Sequence, residues 1–93
     1  MSEKQCVRAL ISGRVQGVSM RYYTQLKANE LGISGFVRNL RDKRVEAVFE
    51  GTPTDIKTML KWCETGAPHA RIDNVQIDYD VHSKGFHGFN IRF

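Results

Sequence analysis

The sequence predicts an α+β fold in which two helices pack on one face of a mainly antiparallel sheet. Three observations predict it. Apolar and polar residues alternate along several short stretches, the period of a half-buried strand. Two longer stretches instead repeat apolar residues at three- and four-residue spacing, the period of an amphipathic helix. The stretches follow the order β-α-β-β-α-β, with one more short strand at the end. Alternation, rather than uninterrupted apolar runs, also implies a sheet covered on one side.

The first strand is read over Cys6 to Ser12, with Val7, Ala9 and Ile11 on one face and Cys6, Arg8 and Leu10 on the other. A helix follows over about residues 21–31. Tyr23, Leu26, Ala28 and Leu31 approximate its buried stripe, Lys27, Asn29 and Glu30 lie toward water, and Gly32 suits the left-handed residue past its end. Gly35 to Leu40 is the second strand. Arg44 to Gly51 is the third, with Val45, Ala47 and Phe49 opposite Glu46, Val48 and Glu50. The hairpin between them, Arg41-Asp42-Lys43, lacks the Asp-Gly pair that such turns favour. A lysine forced to positive φ there costs on the order of 1 kcal/mol.

Thr52-Pro53-Thr54-Asp55 starts the second helix: Thr52 caps, Pro53 takes the first helical position, and Asp55 closes the turn. Ile56, Met59, Leu60 and Cys63 form its buried stripe, Trp62 covers the edge, and Gly66-Ala67-Pro68 ends it. Ile72 to Val81 is the fourth strand, with Val75, Ile77, Tyr79 and Val81 on one face. Residues 82–88 form a loop, and Phe89, Ile91 and Phe93 alternate in a short last strand. This is the ferredoxin-like split βαβ pattern plus a terminal strand. No repeat, low-complexity segment or linker divides residues 1–93, so one domain is expected.

Bulk properties narrow the function classes. The 93 residues suffice for one modest core, and 41% hydrophobic content is that of a globular chain. No run approaches the ~20 apolar residues of a membrane span. Met1 to Gln5 lacks the pattern of a signal peptide, so a cytoplasmic, non-membrane protein is expected. Fourteen basic against ten acidic residues leave a net charge of +4, which suits an anionic partner. Cys6 and Cys63 make neither a disulfide framework nor a metal site and read as small buried residues. His69, His82 and His87 lack ligand spacing, Ser12 and Ser19 lack a His/Asp pair, and Asp73, Asp78 and Asp80 read as the solvated face of a strand.

The stretch Gly13-Arg14-Val15-Gln16-Gly17-Val18-Ser19-Met20-Arg21 joins the first strand to the first helix. Amides at a helix start lack intrahelical acceptors and carry partial positive charge, which makes such a corner an anion site. Gly13 and Gly17 allow close approach of a ligand, and Arg21 brings a planar guanidinium suited to two phosphate oxygens. An ordinary turn with a solvated arginine fits the same residues. In the predicted topology the first and third strands are neighbours and the second borders the third. The first and second strands are then parallel, and Asn39 falls at the same sheet edge as the loop. From the residues alone, a turn-stabilising role for Asn39, by side-chain-to-backbone bonding in the hairpin, is the favoured reading.

The residues from Gly13 to Arg21 resemble the first signature of the acylphosphatases, glycine-x-Val-Gln-Gly-Val-x-Phe/Met-Arg. Gly35-Phe36-Val37-Arg38-Asn39, followed by Val45 and Gly51, resembles their second. The resemblance covers the whole chain. It implies a hydrolase of carboxyl-phosphate anhydrides acting on a small-molecule acyl phosphate, with inorganic phosphate as product and inhibitor. It implies that the amides of Val15, Gln16, Gly17, Val18, Ser19 and Met20 cradle the phosphate, that Arg21 binds it, and that Asn39 positions the attacking water. It implies no metal and no organic cofactor; no nucleic-acid partner and a monomer are expected. Two positions depart from the pattern: Lys43 stands where the family has the hairpin glycine, and Met20 replaces the commoner Phe. The rival reading is an RNA-recognition module of the same element order. It is disfavoured because the third strand presents Glu46 and Glu50 where such modules carry aromatic and basic residues.

Overall fold

The computed structural model describes residues 4–83 and 85–93. Met1, Ser2 and Glu3, part of the start read as lacking a leader, and Lys84 of the predicted loop lie outside them.

Alternation along the strands sorts side chains as expected. Val7, Ala9 and Ile11 of β1 (Gln5–Arg14) and Val45, Ala47 and Phe49 of β3 (Val45–Gly51) are fully buried. They form the floor on which α1 (Met20–Leu31) and α2 (Pro53–Thr65) rest. With β2 (Ser34–Asn39), β4 (Arg71–Asp78) and β5 (Phe89–Arg92) they make a five-stranded sheet of order β4-β1-β3-β2-β5. β3 pairs antiparallel with both β1 and β2, as the topology predicts, and β1 also pairs antiparallel with β4. β5 adds to the free edge of β2 in parallel, Val37 opposite Ile91, so the sheet is mixed.

The opposite face carries polar groups and is satisfied by pairing. Glu46, although buried, accepts hydrogen bonds from Arg8 and Arg38 on the two flanking strands, each 2.5 Å. Burial disfavours its charge, yet these two bonds outweigh burial and hold the Glu46 carboxyl below its ordinary value. The segment after β4 crosses this face: Ser83 donates a hydrogen bond to Glu50, and Phe86 meets Phe36 edge-on at 5.9 Å.

α2 follows its sequence signals. Thr52 Oγ1 accepts a hydrogen bond from the Asp55 N–H at 3.2 Å, and Pro53 opens the helix. Ile56, Met59 and Cys63 are buried, and full burial of a side chain such as Ile56 or Met59 contributes roughly 1.5–3 kcal/mol. Leu60 and Trp62 pack partly buried against the same core.

Two expectations are corrected. The buried stripe of α1 is Met20, Thr24 and Ala28, with Leu31 beside it, whereas Tyr23 and Leu26 are 36% and 46% exposed. The helix turns this way because Thr24 loses no hydrogen bond on burial: its hydroxyl donates to the Met20 carbonyl at 2.7 Å. Met20 is drawn inward, where its sulfur accepts from the Ala67 N–H at 3.4 Å. The fourth strand ends at Asp78, not Val81, because the Asp78 carboxylate accepts from the Asp80 N–H at 2.9 Å and turns the chain. Tyr79 is consequently 61% exposed.

No helix among the described residues is long and apolar enough to cross a membrane. Cys6 and Cys63 are both buried, and strand alternation puts Cys6 on the sheet face away from the core that holds Cys63.

Candidate active site

The loop from β1 to α1 is shaped from within. Val15, Val18 and Met20 turn their side chains into the core, leaving Gly17 and Ser19 at the surface. Gly17 has φ 76° and Ser19 φ 59°, while Val18 between them lies outside the positive-φ region. Such interleaving lets successive amides point into one concavity. Among the described residues, no carbonyl accepts from the N–H groups of Gln16, Gly17, Val18 or Ser19 in a loop contact. Ser19 is also the N-cap of α1, and its side chain makes no capping bond, so the first helical amides face the same corner unsatisfied. The Gln16 side chain ties the loop to the neighbouring hairpin, donating from Nε2 to the carbonyls of Leu40 at 2.8 Å and Arg44 at 3.0 Å.

Gly13 does something other than the sequence suggests. It lies within β1 at a register shift between β1 and β4, with φ 129°. A Cβ there would fall 2.1 Å from the Arg71 carbonyl oxygen. Its missing side chain makes room for β4, not for a ligand. At Gly17 a Cβ would meet nothing within 4 Å, so only its backbone angle calls for glycine.

The parallel relation of β1 and β2 brings the end of β2 beside this loop. Asn39 is opposite Val45, on the side of the sheet that faces the helices. Its Oδ1 is buried and has no hydrogen-bond partner, a state that costs roughly 1–3 kcal/mol unless a ligand or water supplies the hydrogen. Arg21 and Asn39, with Val15, Gly17, Ser19 and Met20, line one cleft of about 380 Å³. The Arg21 guanidinium is anchored by β5: Nη1 donates to the Arg92 carbonyl at 3.2 Å, and Cζ sits 4.7 Å from the centre of the Phe93 ring. Its other N–H groups are left for a ligand. The lining holds no Asp or Glu side chain.

Tyr22, Ile91 and Phe93 complete the wall and were missed from sequence. Tyr22 follows directly on the signature arginine. Ile91 and Phe93 reach the cleft only because β5 pairs with β2, which no residue pattern announces. Among the described residues no three His, Cys, Asp or Glu side chains gather as a metal-binding group.

An arginine-bearing, amide-walled cleft at the first strand–helix corner of a ferredoxin-like sheet defines a small anion-binding α+β protein. A family model described as acylphosphatase matches residues 7–91. An acylphosphatase of Rubrobacter xylanophilus is 49% identical over 86 residues, covering 92% of this chain and 78% of that one. One of Natronomonas pharaonis is 48% identical over 92 residues, covering 99% of both chains. The crystal structure of acylphosphatase from Bacillus subtilis superposes with a TM-score of 0.92 at 28% identity, covering 98% of this chain and 100% of that one. The chain belongs to the acylphosphatase family, whose members are hydrolases acting on acid anhydrides.

Proposed function

We propose that this chain hydrolyses a small-molecule acyl phosphate to carboxylate and inorganic phosphate in the cleft between the β1–α1 loop and the end of β2. One observation carries the reading: Arg21 and Asn39, distant in sequence, share a cleft with a loop of unsatisfied amides. The amides of Val15, Gln16, Gly17, Val18, Ser19 and Met20 hold the non-bridging oxygens, and Arg21 binds two of them side by side. Asn39 Oδ1, buried and unpartnered, accepts a hydrogen from water and sets its oxygen in line with the scissile P–O bond. The water oxygen forms the new bond to phosphorus and passes one proton to a non-bridging oxygen of the phosphate itself, the bond to the acyl oxygen breaks, and the carboxylate leaves with the bonding pair. A carboxylate is a good leaving group, so no general acid is required. Preorganised donors supply the charge stabilisation.

The product phosphate fits the same cradle and competes with substrate. No metal or organic cofactor enters this scheme. The reading is of a single-domain monomer, and buried thiols fit a reducing cytoplasm. This reading involves no nucleic acid.

Turnover of benzoyl phosphate tests the division of roles. Arg21→Ala is expected to lower kcat/KM by about 10³-fold or more and to weaken inhibition by inorganic phosphate. Asn39→Ala should lower kcat by about 10²-fold while phosphate inhibition stays within a few-fold. Equal loss of phosphate inhibition in both variants would sink the assignment of water to Asn39. Treatment with EDTA is expected to leave wild-type turnover unchanged, and a requirement for added metal would refute the cofactor-free scheme.

A further inference from the structure

We propose that Tyr22, Ile91 and Phe93 form an acyl subsite that selects acyl phosphates with an aromatic or bulky apolar acyl group over acetyl phosphate. The inference rests on the phosphate site assigned to Arg21 and the loop, and it adds the class of acyl group that site takes.

Among the described residues five large hydrophobic side chains are exposed: Tyr22, Tyr23, Leu26, Tyr79 and Phe93. Two of them, Tyr22 at 52% and Phe93 at 102%, stand on the wall of the same cleft as Arg21. Both rings have neighbours that bias their orientation. Tyr22 meets Tyr23 edge-on at 5.3 Å and 77°, and Phe93 lies under the Arg21 guanidinium. Each nonetheless leaves much of its surface in water, available for a ligand to cover. Ile91, partly buried, adds apolar lining.

Substrate chemistry fixes what lies against this wall. In an acyl phosphate one bridging oxygen separates phosphorus from the carbonyl carbon. A phosphate held at Arg21 therefore places the acyl substituent within a few ångströms of it, in the cleft that Tyr22 and Phe93 also line. Besides Arg21 the lining holds no charged side chain, so a charged acyl group gains no further partner there. An aromatic or branched apolar group covers the exposed rings and gains their contact area. An acetyl group is too small to do so.

The test is the ratio of kcat/KM for benzoyl phosphate to that for acetyl phosphate, with inhibition by inorganic phosphate measured alongside. The wild type is expected to favour benzoyl phosphate by about tenfold or more. Tyr22→Ala is expected to lower the ratio severalfold, Tyr22→Phe to keep it, and both to leave phosphate inhibition within about twofold. Tyr22 is half-exposed on a helix and alanine favours helix, so the variant folds. An unchanged ratio in Tyr22→Ala overturns the subsite. So does a loss that appears equally in both substrates and in phosphate inhibition, which would make Tyr22 a support of the cradle. A wild type that hydrolyses both substrates with equal efficiency overturns the subsite alone. One that hydrolyses neither overturns the phosphate-site reading beneath it.

Discussion

At the scale of single residues, the chain tolerates local strain where its neighbours enforce it. Lys43 adopts φ 76° in the β2–β3 hairpin, as the missing glycine predicts. The turn is closed by the Leu40 N–H to the Arg44 carbonyl at 2.8 Å and the Lys43 N–H to the Leu40 carbonyl at 3.2 Å. Asp42 adds bonds to the backbone N–H of Arg44 at 3.1 Å and to its Nε at 2.8 Å. These contacts need the backbone of residue 43 but not its side chain, which is exposed. Lys43→Gly is therefore expected to raise stability by up to about 1 kcal/mol, the relief of the left-handed strain less the added freedom of the unfolded chain. Urea denaturation measures it, and an unchanged or lower midpoint would show that the lysine is not strained there. Position 43 was legible because only the turn constrains it. Gly13 was not, because its reason is the Arg71 carbonyl on a strand more than fifty residues away. A glycine in a signature reads as a ligand contact until the strand beside it is known.

At the scale of elements, legibility followed how many independent signals each segment carries. α2 has a cap, a helix-opening proline and a regular stripe, and all three agree in the structure. α1 has no side-chain capping bond at its start, and its stripe is closed by a threonine whose hydroxyl bonds the Met20 carbonyl, so hydrophobicity alone turned the helix the wrong way. β3 illustrates the opposite case: every residue in it is buried, although two are glutamates. Pairing explains this at Glu46, which joins β1 and β2 through Arg8 and Arg38 across the middle of the sheet. Because the folded state holds its carboxyl below the ordinary value of 4.5, the unfolded chain binds the proton more readily in mild acid. The pair's contribution is complete above pH 4.5 and is lost as pH falls through the lowered folded value. Glu46→Gln is expected to cost about 1–2 kcal/mol at pH 7, moderate because both arginines are partly exposed. The gap between variant and wild type should narrow as pH drops toward 3. Denaturation midpoints of both proteins across that range decide it, and a constant gap would mean that shape rather than charge keeps Glu46 in place.

At the scale of the whole molecule, the cleft and Cys63 lie apart on one shared core, for Val15 and Met20 line the cleft and pack into the core that holds Cys63. Cys63 reports on the core. It sits on α2, fully buried, and burial followed by the nearby charge of Glu64 pushes its thiol up to about 12. Thiolate is the form that alkylates, so the folded protein at pH 8 offers almost none, whereas an unfolded chain has an ordinary cysteine pKa near 8.5. Modification of Cys63 by iodoacetamide, followed on its own peptide by mass spectrometry, should therefore track the unfolded fraction. Cys63 does not line the cleft that holds Arg21 and Asn39. A phosphate bound in that cleft consequently protects the thiol only by stabilising the fold as a unit. At phosphate a hundredfold above its Kd that stabilisation is about 2.7 kcal/mol, so alkylation should slow about a hundredfold. The effect should vanish in Arg21→Ala, whose core is untouched. If phosphate inhibits turnover yet leaves the alkylation rate unchanged, α2 opens independently of the cleft, and the sheet and its two helices do not unfold as one cooperative body.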